Sequence, residues 1–150
     1  MIVLDSSFLI AFHNRRDIHH EAAASAMADL RRGAFGRPLL IEYVFLEVVA
    51  VLLARRGHRA ALEVADILMD AEEVEFLPCS DIFPAALREF RTRAAARLSF
   101  VDAAIVAAAF RHEAEFIATF DEGFCGIEGL TPIPAPDPRR PRSRGHGRGP

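Results

Sequence analysis

Four carboxylates, Asp5, Glu47, Asp102 and Asp121, stand where side chains could do chemistry. Asp5 follows the apolar run Ile2-Val3-Leu4, and Asp121 comes shortly after Phe116-Ile117-Ala118. Both runs read as short buried strands. Asp102 falls in the first turn of a helix opening at Ser99. Glu47 is embedded in IEYVFLEVVAVLLA, residues 41–54, where nearly every neighbour is apolar. A helix of that composition is expected to be buried on most of its sides. A lone carboxylate there either costs several kcal/mol or has its pKa raised until it neutralises. A divalent cation would resolve the problem, because hard cations take oxygen ligands and relieve repulsion among grouped acids.

Each acid also has a plainer role. Asp5 could cap the helix that follows it. Ser99-x-x-Asp102 has the form of a capping box, and Asp121 in TFDEGF could be an ordinary turn aspartate. Glu47 could pair with an arginine of another helix. Glu42 is its rival within the same helix, at a start position where an acid suits the helix dipole.

The elements needed to gather these acids can be traced along the chain. Strands are expected at 2–4, 39–41, 74–77 and 116–118, with an edge strand at 131–133. Helices are expected from about Phe8, over 21–32, through Glu47 to Arg56, over 59–72, over 81–97 capped by Ser80, and over 100–113 capped by Ser99. Strands alternating with helices favour a central, mostly parallel sheet covered on both faces. Such sheets bind ligands beyond the carboxyl ends of their strands.

Composition narrows the function classes. The chain has 150 residues, 51% of them hydrophobic, which suits one globular domain, read here as residues 1–133. The remainder, 134–150, is rich in Pro and Arg and reads as a disordered tail. Five arginines (139, 140, 142, 144, 148) against Asp137 give the tail +4; with −3 overall, residues 1–130 carry −7. A broadly basic nucleic-acid-binding body is thus excluded, although the tail could contact phosphates. No lysine occurs, which removes P-loop NTPases and phosphoryl-accepting receiver domains. Cys79 and Cys125 match no zinc spacing, and the six histidines form no metal-binding pair. The N-terminus lacks a basic segment and the apolar run at 43–54 is too short to span a bilayer, so a cytoplasmic protein is expected.

Several motifs together resemble the PIN-domain family, and more narrowly its VapC-type toxin ribonucleases. They are MIVLDSSFLIAF at the start, RDIHHEAA at 16–23, YVFLEVVAVL around Glu47, LSFVDAAIVAAAF around Asp102 and IATFDEGF around Asp121. The resemblance runs from residue 1 to about 133. It implies a three-layer α/β/α sandwich and Asp5, Glu47, Asp102 and Asp121 as ligands of Mg²⁺ or Mn²⁺. Thr119 matches a hydroxyl residue beside the last acid, and Ser6 a small polar residue beside the first. Also implied are an RNA substrate, a homodimer and silencing by a VapB-like antitoxin. The contrasting expectation is a catalytically inactive PIN-like module that binds RNA or protein.

Overall fold

The structure, a computed structural model, describes residues 1–92 and 98–135. Five strands, β1 (Ile2–Leu4), β2 (Pro38–Ile41), β3 (Glu75–Leu77), β4 (Phe116–Ala118) and β5 (Thr131–Ile133), form one sheet in the order β3-β2-β1-β4-β5. Every pairing is parallel, with Val3 opposite both Leu39 and Ile117. The three central strands are short runs of large apolar residues because helices cover both sheet faces.

Six helices make the outer layers of an α/β/α sandwich: α1 (Ser6–His13), α2 (His20–Arg31), α3 (Glu42–Arg56), α4 (His58–Met69), α5 (Cys79–Thr92) and α6 (Phe100–Arg111). Apart from the C-terminal end of α5, their ends lie within a few residues of the expected ones. Helix α6 buries seven consecutive residues, Ala103 to Ala109. Five of these are alanines, small enough to let α5 and the sheet approach closely from different sides. Gly57, at φ 84°, ends α3 and turns the chain into α4 in a conformation that other residues adopt only with strain.

Two expectations need correction. Helix α3 is not buried on most of its sides: it sinks only the stripe Val44, Val48 and Leu52, and leaves Leu46 and Leu53 about half exposed. Apolar neighbours in sequence therefore overstate how dry Glu47 is; its side chain is half-buried. Nor does Ser80 cap α5. The helix begins at Cys79, two residues before the expected start, and the Glu42 carboxylate accepts the Cys79 N–H at 2.7 Å from the start of α3. The extension of this helix to residue 97 and the tail from 136 onward fall outside the described residues.

The sheet order fixes where a ligand can sit. From β1 the chain steps outward through β2 to β3, then returns to place β4 on the other side of β1. The order reverses between β1 and β4, and the crevice outside their carboxyl ends is where such sheets bind ligands. Asp5 is the first residue after β1, and Thr119 the first after β4.

Candidate active site

Asp5 and Thr119 are the only buried polar side chains among the described residues, 4% and 3% exposed, and they are bonded to each other across this crevice. Thr119 Oγ1 donates to Asp5 Oδ2 at 2.7 Å. Ser7 Oγ donates to the same oxygen at 2.5 Å, while the Ser6 N–H donates to Oδ1 at 2.7 Å, making Asp5 the N-cap of α1. Both hydroxyls also accept. Ser7 Oγ takes the Phe120 N–H at 2.9 Å, and Thr119 Oγ1 takes the Asp121 N–H at 2.9 Å. Two relays thus run from the Asp5 carboxylate into the loop after β4, so the backbone of Asp121 is positioned from Asp5.

Burial raises the Asp5 pKa above its usual value. Hydrogen bonds from Ser7, Thr119 and Ser6 partly counter that, and the nearby negative charge of Asp102 raises it further. Desolvation outweighs three donors, so this is a carboxylate kept where its charge is unfavourable.

Asp102 and Asp121 each spend one oxygen on local backbone. Asp102 Oδ2 accepts the Ser99 N–H at 2.8 Å while Ser99 Oγ accepts the Asp102 N–H at 3.1 Å, a complete capping box. Asp121 Oδ1 accepts the Gly123 N–H at 2.7 Å, capping a short 3-10 turn at Glu122–Phe124. A Cβ on Gly123 would lie 3.1 Å from that oxygen and displace it. The plainer readings of these acids are therefore correct: capping holds each carboxylate by one oxygen.

Glu47 is less tightly placed. It follows Tyr43 by one helical turn on the same face of α3, and the Tyr43 ring meets Phe100, the first residue of α6, edge-on at 5.6 Å. The ion pairs among the described residues join Arg32 to Asp29, Arg37 to Glu75 and Arg59 to Glu63, so none of them occupies Glu47. Of the two serines after Asp5, Ser7 rather than Ser6 completes the network. No local signal separates it from Ser6, because its role depends on the Phe120 N–H across the crevice.

The PIN domain family model matches residues 2–130. The chain belongs to the PIN domain family. Among solved structures it is similar to VapC20 of Mycobacterium tuberculosis, described as a sarcin-ricin loop cleaving toxin, at 26% identity and a TM-score of 0.71, over 81% of this chain and 90% of that one. A toxin–antitoxin complex from Klebsiella pneumoniae shares the fold at 21% identity and a TM-score of 0.59, over 87% of this chain and 96% of that one. FitAcB from Neisseria gonorrhoeae does so at 16% and 0.57, over 82% and 89%. No curated protein sequence matches the chain.

The donor chemistry of this PIN domain suits a hard divalent cation: carboxylates, one of them buried against its own preference, with hydroxyls beside it. The geometry is looser. Among the described residues no three His, Cys, Asp or Glu side chains are grouped closely enough to hold an ion. Asp5 and Asp102 feel each other's charge and Thr119 links Asp5 to Asp121, but the four acids do not form a closed cluster. No helix among the described residues is long and apolar enough to cross a membrane.

Proposed function

We propose that this PIN domain is a Mg²⁺- or Mn²⁺-dependent endoribonuclease, the toxin of a VapBC-like toxin–antitoxin pair acting in the cytoplasm as a homodimer. One observation carries the reading: a buried aspartate with a raised pKa at the β1/β4 crevice, tied through Thr119 to the loop bearing Asp121 and in electrostatic contact with Asp102. Folding does not favour a charge in that position, so function is the reason to retain it. The similarity to a toxin described as cleaving the sarcin-ricin loop supports RNA as the substrate class, and the toxin–antitoxin complex among the fold relatives supports a VapB-like partner.

In this reading Asp5, Glu47, Asp102 and Asp121 hold the cation. When bound, a divalent ion supplies a more acidic water and neutralises charge growing on the phosphodiester. The chain's own work is positional. Ser7 and Thr119 fix one Asp5 oxygen, the Ser99 capping box aims Asp102, and the Gly123 N–H aims Asp121. No side chain is required as nucleophile. The contrasting reading, an inactive PIN-like module binding RNA or protein, takes its support from the open arrangement of the acids.

Replacing Asp5, Glu47, Asp102 or Asp121 by its amide is expected to abolish metal-dependent cleavage of RNA and to weaken Mn²⁺ binding in calorimetry, with unfolding still cooperative. Glu42→Gln should keep cleavage, because an amide oxygen can still accept the Cys79 N–H. Wild-type protein that takes up no Mn²⁺ and cuts no RNA would select the inactive module.

A further inference from the structure

Beside the acids lies a cavity of about 350 Å³ that the roles above leave unused. Its lining includes Thr119, Phe120 and Asp121, together with Ile18, His19 and Pro132. Its size is near the lower end of ligand sites, right for one ring system and far too small for a polynucleotide. Its walls are unusually planar. The Phe120 ring lies near-parallel to that of the core residue Phe8 and to that of His19, with centroids 6.2 Å and 4.3 Å away and interplanar angles of 22° and 17°. Ile18 at the rim is 80% exposed, a large apolar side chain with little of its surface covered.

We propose that this cavity seats an unpaired nucleobase of the RNA, next to the phosphate that is cut. The inference rests on the nuclease reading and deepens it by naming how the substrate is read. Stacking on planar side chains is how proteins recognise splayed-out RNA bases. Charge excludes the other half of a nucleotide: Asp121 and Glu122 line the cavity and repel a phosphate, whereas carboxylates accept hydrogen bonds from exocyclic amino groups. The occupant is therefore a base that turns N–H donors toward these carboxylates. Because Asp121 belongs to both places, a base held here sets which phosphate reaches the acids.

The test is cleavage of a randomised single-stranded RNA pool with Mn²⁺, reading base frequencies on either side of each cut. Wild type should show a base bias at one flanking position. Phe120→Leu, which removes the ring, and Ile18→Ala, whose side chain is too exposed to matter to folding, should both flatten it and raise KM about tenfold, in line with the loss of a stacked base. Phe120→Tyr keeps the ring and should keep the bias. A bias unchanged in Phe120→Leu and Ile18→Ala overturns the proposal and leaves the cavity to a side chain of a protein partner. Should wild type cut no RNA at all, the nuclease reading fails separately. The base subsite is then judged by labelled-RNA anisotropy on the same variants, and equal affinity across them overturns it.

Discussion

At the scale of single residues, the site turns on the hydroxyl of Thr119. It donates to Asp5 and accepts from the Asp121 N–H, so Thr119→Val, which keeps the shape, removes one of the two hydroxyl donors to the buried Asp5 Oδ2 and leaves a backbone N–H without its acceptor. Urea denaturation should show a loss of roughly 1–3 kcal/mol, and Thr119→Ser should recover most of it. Asp5 itself leaves a mark on pH dependence. Its folded pKa lies above its unfolded one, so the folded state holds the proton more tightly, and Asp5 works against stability as pH rises from near 4. In the presence of a chelator, wild type should therefore gain stability relative to Asp5→Asn as pH falls from 7 toward 4; thermal melts of both across that range check this, and a constant gap would count against it. Asp5 and Thr119 could be picked from the sequence because each directly follows a strand. Ser7 could not, since its role depends on a backbone N–H more than a hundred residues away. Glu47 was read too dramatically: sequence neighbours on a helix point in all directions, and several of its apolar ones face solvent.

At the scale of elements, capping and the proposed catalysis call on the same side chains. Ser99 and Asp102 satisfy each other at the start of α6, which is an ordinary way to begin a helix. Ser99→Ala should cost about 1 kcal/mol of stability in chemical denaturation. If the box also aims Asp102, cleavage should fall by more than tenfold at saturating RNA, a loss that one missing cap cannot produce in a protein still folded. An activity that merely tracks stability would reduce the box to a cap. This doubling explains why motif reading divided over Asp102 and Asp121: a capping aspartate and a ligand aspartate have the same local sequence. The strands were easier to read, because buried parallel strands are continuous apolar runs. Strand order was not legible, and neither was the contact from Glu42 to the start of α5, because both depend on pairings between distant segments. Pattern reading therefore places the start of α5 two residues late and gives its capping to Ser80.

At the scale of the whole molecule, charge is distributed against the proposed substrate. Residues 1–130 carry −7, and at the β1/β4 crevice the charge of Asp102 bears on the buried Asp5. For an ordinary basic RNA-binding protein, divalent cations compete with its arginines and lysines for phosphate and weaken binding. Here the opposite sign is expected. A cation held by the carboxylates converts a repulsive crevice into an attractive one, so affinity for a labelled single-stranded RNA should rise several-fold when chelator is replaced by millimolar Mg²⁺ at matched ionic strength. Anisotropy read before cleavage begins is sufficient, and Asp5→Asn should lose the gain while retaining whatever binding the arginines at 139–148 contribute. If Mg²⁺ instead weakens binding equally in both proteins, the RNA is held by basic side chains elsewhere, and the crevice is not where its phosphate sits.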